Sequence, residues 1–182
     1  MEVDVHGLTL EIVRGDITRQ EDVECIVSGA ESRILKSEGV SGAVQRIGGP
    51  QLTEAVRRMT PVRPGEAFIT EGYYLPNDYV IHCRGPVYKR DIPADVLLVT
   101  CYRNILALAE KYHIETIALP ALATGRGGYP FHEAAEMALH TVIEQAQYLK
   151  YVKRVRFVLD SAEKIVRFKA SMNEITVEKE LS

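Results

Sequence analysis

The chain has 182 residues, 46% of them hydrophobic and 26% charged, with Lys+Arg 22 against Asp+Glu 25 for a net charge of −3. That length suits one domain with a sizeable core, and the acidic balance counts against a nucleic-acid partner held by bulk charge. No apolar run nears the roughly 18 residues that span a membrane, Met1 to His6 carry no leader pattern, and Cys25, Cys83 and Cys101 fit neither a disulfide framework nor a CxxC motif; the expectation is a cytoplasmic protein with buried, reduced thiols.

Two hydrophobic periods alternate along the chain. Leu8, Leu10 and Ile12 recur every second residue and predict a strand. Short apolar runs at Cys25 to Val27, Ala67 to Ile69, Tyr79 to Cys83, Thr116 to Leu119 and Val155 to Leu159 predict five more. Their continuity suits strands covered on both faces. Helical spacing fills the gaps. A loop with Gly39 and Gly42 leads into a helix whose first turn contains Ser41. Pro50 opens a helix with Leu52, Val56 and Met59 on one stripe. Asp91 reads as the cap of the next, whose stripe is Leu97, Cys101, Ile105, Leu108 and Tyr112. Ala134, Ala138, Val142 and Ala146 mark another, and Ala162 to Phe168 a short last one. Residues 171–182 read as a polar tail, disordered by default. The pattern gives one α/β domain over 1–170, a three-layer α/β/α sandwich.

In such a sheet ligands bind beyond the carboxyl ends of the strands. Four segments there carry chemistry. After the first long strand, Gly15 permits a turn and Asp16 offers a carboxylate that either accepts from an adenine amine or caps the Asp-Ile-Thr turn. After the second, the small residues from Ser28 to Ala30 admit a ligand to the backbone, and Glu31 adds a carboxylate. The helix start at Gly39, Val40 and Ser41 offers free N–H groups to an anion. The strongest segment holds Thr124, Gly125, Arg126, Gly127 and Gly128, three glycines in four residues just before a helix, where backbone N–H groups can wrap a phosphate. It matches neither the P-loop nor the Rossmann fingerprint. His82 lies beside Cys83 on a strand, and His6, His113, His132 and His140 form no ligand spacing, so neither metal nor cofactor is expected.

The order of these segments resembles the macrodomain family, from about Leu8 to about Phe168. Gly15 to Thr18, Gly39 to Val44 with Gly48 to Pro50, Gly65 to Ala67, Leu75-Pro76, Tyr79 to His82, Gly85-Pro86 and Pro120 to Pro130 recur in family order. The resemblance implies a mixed six- or seven-stranded sheet and a crest cleft for ADP-ribose. Asp16 would then hold the adenine amine and the Ile17 N–H a ring nitrogen, with the loops near Val40 and Gly125 on the diphosphate and Leu159 where many members carry an aromatic. De-ADP-ribosylating members place asparagines where this chain has Ser28 and Glu31, many place an acid at Ser41, and an aromatic often stands at Gly127.

Those departures point to binding rather than catalysis of an ADP-ribose-type nucleotide, free or on an ADP-ribosylated protein. Glu31 and Glu38 near a diphosphate would weaken it: two unit charges about 6 Å apart repel by roughly 3 kcal/mol at an effective dielectric of 20, which Arg126 or Lys36 can offset. Two alternatives stand beside this reading. One is a hydrolase using Glu31 as the base for water. The other is a scaffold turned to RNA, another nucleotide or assembly. The sequence leaves oligomeric state open.

Overall fold

The computed structural model describes residues 1–30 and 39–181. In chain order the elements are β1 (Glu2–Val5), β2 (Leu8–Arg14), a 3-10 turn (Ile17–Arg19), β3 (Cys25–Gly29), α1 (Gly39–Gly48), α2 (Pro50–Met59), β4 (Ala67–Glu71), β5 (Tyr79–Cys83), α3 (Ala94–Lys111), β6 (Thr116–Leu119), α4 (Phe131–Ala146), β7 (Arg154–Leu159) and α5 (Ala162–Leu181). The strands form one seven-stranded sheet in the order β1-β2-β7-β6-β3-β5-β4. The five central strands run parallel, and the edge strands β1 and β4 pair antiparallel to their neighbours. The expected mixed sheet is therefore present, with seven strands.

Strand alternation sends side chains to two cores. Leu8, Leu10, Ile12, Val27 and Ile81 share one with α3, α4 and α5. Ile26, Val80, Ala118 and Val158 share the other with α1 and α2. The three layers are thus helix, sheet, helix. At the centre of the larger core Phe157 packs against Phe168 at 5.1 Å and Tyr102 at 6.3 Å between ring centroids. Among the described residues no helix is long and apolar enough to cross a membrane.

Four features differ from the sequence expectation. β1 carries charge at every second position and lies half-exposed at the sheet edge, so it leaves no apolar run to detect. It turns into β2 through His6 and Gly7, both at positive φ, the backbone a two-residue hairpin needs. The buried face of α3 is turned from the expected stripe: Leu98, Tyr102 and Ala109 join Cys101 and Ile105 inside, while Tyr112 is exposed. That helix packs on both the sheet and α4, which widens its buried face. Asp91 does not cap α3; its Oδ2 accepts the Val87 N–H at 2.8 Å, and Pro93 occupies the cap. Finally, α5 runs unbroken through Ser171, where a disordered tail was expected. Phe168, Met172 and Ile175 are buried on one helical stripe, which supplies the packing that holds the segment.

Candidate functional site

The parallel strands β2, β3, β5, β6 and β7 all end on one crest. The segments that follow every one of them line a single cavity of about 970 Å³. Gly15 continues the β2–β7 ladder by donating to the Leu159 carbonyl at 2.9 Å. The chain then turns at Asp16, whose Oδ1 accepts the Thr18 N–H at 2.9 Å and the Thr18 hydroxyl at 2.6 Å. Those bonds hold the carboxyl below its ordinary value. Oδ2 lies outside both bonds, and the Ile17 N–H, at the first position of the turn, has no acceptor within it. Asp16 therefore caps the turn and lines the cavity at once, with Val158 and Leu159 as an apolar floor beside it.

The loop after β6 faces it from the other side. Tyr102, inside the core, fixes the loop's start by accepting the Leu122 N–H at 3.2 Å; burial pushes its hydroxyl up, so it stays protonated. Ala123 holds φ at 67°, a backbone that residues with a Cβ rarely adopt. The loop's carbonyls are committed: Ala121 accepts the Thr124 hydroxyl, Ala123 the Tyr129 N–H, Gly125 the Gly128 N–H and Gly127 the Tyr88 N–H. The N–H groups of Thr124, Gly125 and Gly127 donate to none of the described residues. This leaves a curved row of donors beside the cavity, the geometry that suits a phosphate. Ser41, in the first turn of α1, adds a helix N-terminus. Among the described residues Arg84, Arg90, Arg126 and Lys164 line the cavity with Asp16 and Asp160; Lys164 pairs with Asp160 at 2.8 Å, Arg90 with Asp91 at 3.5 Å, and Arg84 Nη1 donates to the Val62 carbonyl at 2.6 Å.

The macro domain family model matches residues 27–138. The chain belongs to the macro domain family. A macro domain-containing protein of Ralstonia nicotianae is 39% identical over 168 residues, 92% of this macrodomain and 96% of its own length. Among solved structures, an Oceanobacillus iheyensis macrodomain with ADP is 34% identical with a TM-score of 0.92, covering 98% of this chain and 97% of that one. A Trypanosoma brucei macrodomain in complex with ADP-ribose is 30% identical with a TM-score of 0.82, covering 90% of this chain and 68% of that one.

In this macrodomain Asp16, Ile17, Ser41, Thr124, Gly125, Arg126, Gly127 and Leu159 line the one crest cavity. Ser28 is placed elsewhere: it is 1% exposed, its hydroxyl donates to the Gly29 carbonyl at 3.4 Å, and Gly29 and Ala30 meet the cavity in its stead. Alternation along β3 puts Ser28 on the face of Ile26, under the α1 layer. Gly128 also stands off the wall; it closes the loop at φ 65°. Gly39 and Val40 open α1, while Glu31, Lys36 and Glu38 lie outside the described residues.

Gly127 has a local reason to be glycine. A Cβ there would stand 2.7 Å from the Ala123 carbonyl oxygen and 2.9 Å from that of Pro86. Two loops close against its backbone, and a side chain of any size would part them. The sequence reading missed Arg84, Arg90 and Lys164. The first two share a signal that was available, a basic residue on the segment just after a strand. Lys164 follows a helix start, where only the fold brings it to the crest.

Proposed function

We propose that this macrodomain binds an ADP-ribose-type nucleotide, free or carried on an ADP-ribosylated protein, in the crest cavity. One observation carries the reading: a single cavity joins a carboxylate acceptor beside an apolar floor to a loop whose Thr124, Gly125 and Gly127 N–H groups donate to none of the described residues. A purine with an exocyclic amine suits the first part. A diphosphate suits the second, since its charge is met by backbone dipoles and by Arg84, Arg90, Arg126 and Lys164. The relatives solved with ADP and with ADP-ribose support it.

The test is calorimetric titration of the whole chain with ADP-ribose, ADP and AMP, alongside thermal unfolding. ADP-ribose binds tighter than ADP, and ADP tighter than AMP, because each added group meets another part of the wall. At about 100 times the dissociation constant a ligand adds roughly 2.7 kcal/mol of stability, which for a chain of this size raises Tm by roughly 5–10 °C. Absence of heat and of any Tm shift with millimolar ADP-ribose would overturn the proposal.

A further inference from the structure

We infer that Gln20 is a positioning residue for base recognition, holding the Asp16–Ile17 turn from beneath while Arg156 fixes the orientation of its amide. The inference rests on the nucleotide reading above.

The bonds are specific about direction. Gln20 Nε2 donates to the Asp16 carbonyl at 2.8 Å. Its Oε1 accepts from Arg156 Nη1 at 3.0 Å. A guanidinium has only donors, so Arg156 selects the amide oxygen and thereby turns the amide nitrogen toward the Asp16 carbonyl. The same amide lies against the preceding residue: a Cβ on Gly15 would stand 3.3 Å from Nε2. That close approach gives Gly15 a reason to be glycine beyond turn formation.

Arg156 is itself locked. Its Nε reaches Glu11 at 2.5 Å, and its two terminal nitrogens grip Asp22 at 2.7 and 2.6 Å, a bidentate pair. The main chain of Gln20 is held from a third direction. Asn77, on the β4–β5 connection and 4% exposed, donates to the Gln20 carbonyl at 2.7 Å and to the Val23 carbonyl at 2.9 Å. Gln20, Arg156 and Asn77 are absent from the cavity wall, so they act on a ligand only through the turn.

A turn that merely connects two strands does not need this much restraint. Base recognition does. Asp16 Oδ2 and the Ile17 N–H must meet one edge of a purine lying on Val158 and Leu159, and hydrogen bonds weaken steeply as their angles open. A small rotation of the turn would keep the cap on Thr18 and lose the base.

Gln20→Glu tests this with little change of volume. It keeps an acceptor for Arg156, removes the donor to the Asp16 carbonyl and sets a carboxylate oxygen against it. The probes are ADP-ribose and its inosine counterpart, in which a carbonyl replaces the purine amine, each titrated into the full chain by calorimetry. The wild type is expected to prefer ADP-ribose. Gln20→Glu is expected to weaken ADP-ribose about tenfold, the scale of one hydrogen bond, while the inosine ligand shifts less than twofold and the unliganded Tm falls by several degrees, as loss of a partly buried hydrogen bond requires. Arg156→Met is expected to erase the same preference, at a lower Tm. A merely structural role would lower both affinities together. Retention of the base preference in Gln20→Glu, or an equal loss for both ligands, overturns the positioning role. A wild type that ignores ADP-ribose overturns the nucleotide reading and this inference with it, whereas one that binds ADP-ribose without base preference overturns this inference and leaves the nucleotide reading standing.

Discussion

Asp16 carries two loads that substitution can separate. Its Oδ1 takes the Thr18 N–H at 2.9 Å and the Thr18 hydroxyl at 2.6 Å, which is the cap of the 3-10 turn; the base-side role falls to Oδ2. Asp16→Ala removes both roles. Losing a cap costs about 0.5–2 kcal/mol, or roughly 1–8 °C of Tm at the scaling for this size. Asp16→Asn keeps a carbonyl oxygen for Thr18 and replaces the second acceptor by an NH2 donor, so its Tm should move by less than about 2 °C. Both variants should lose ADP-ribose affinity. A hydrogen bond to a charged group contributes about 1.5–3 kcal/mol; because Asp16 is exposed, the low end applies, a loss of about tenfold. The pH dependence follows from the depressed carboxyl, held down first by the Thr18 hydroxyl and then by the Thr18 N–H. A carboxyl lowered in the folded state contributes stability that is present above its ordinary value of 3.8 and is lost as pH falls through the lower folded value. The Asp16 contribution should therefore be flat from neutral pH to about pH 5 and fade only in stronger acid, and Asp16→Asn should abolish that fading. The assay is calorimetric titration with ADP-ribose plus differential scanning calorimetry across pH. Asp16→Asn binding within twofold of wild type would refute the base-acceptor role, and an unchanged Tm in Asp16→Ala would refute the cap.

Three further outcomes are expected. Gly127→Ala forces a Cβ to within 2.7 Å of the Ala123 carbonyl oxygen; overpacking of this kind costs about 1–3 kcal/mol, and the parted loops should also weaken ADP-ribose, so a variant with unchanged Tm and unchanged affinity would contradict the close approach. His82 is buried beneath Phe68, 4.8 Å between ring centroids, with its Nε2 2.9 Å from the Thr70 hydroxyl, and burial lowers its pKa from 6.5 to about 3. The unfolded chain then binds the proton that the folded chain refuses, so stability should fall as pH drops from 6.5 toward 3; urea titrations of His82→Gln should show a flatter acid limb, and an identical slope would remove His82 from the account. Glu110 accepts the N–H groups of Lys150, Tyr151 and Val152 ahead of β7; Glu110→Ala should cost about 1–2 kcal/mol by urea denaturation while leaving ADP-ribose affinity within twofold, and a large affinity loss would mean that this end of the sheet reaches the crest.

Much of this fold is legible because apolar continuity is a local property. Cys25 to Val27, Tyr79 to Cys83 and Thr116 to Leu119 announce strands covered on both sides, and the structure buries them in the centre of the sheet. Gly127 and Gly128 also declare themselves, the first because its backbone lies against the Ala123 and Pro86 carbonyls and the second because its φ is positive, and both needs leave their mark in composition. The C-terminal helix was misread because its buried residues, Phe168, Met172 and Ile175, are separated by polar ones whose partners lie on other elements. Ser28 turns away from the cavity because β3 runs on to Gly29, so strand alternation still sets its side chain on the face of Ile26.

What the sequence by itself determined, then, is the succession of strands and helices and the loops that end on the crest. Tertiary structure decided which side chains meet there. Arg84 and Arg90 follow β5, Arg126 follows β6 and Lys164 lies in the first turn of α5, and only the parallel order of the sheet brings these three stretches to one cavity. The grip of Arg156 on Gln20 spans 136 residues of chain. Local pattern encodes how each segment folds against water; the charges and hydrogen bonds that act together are set by which strand lies beside which, and that information is distributed over the whole chain.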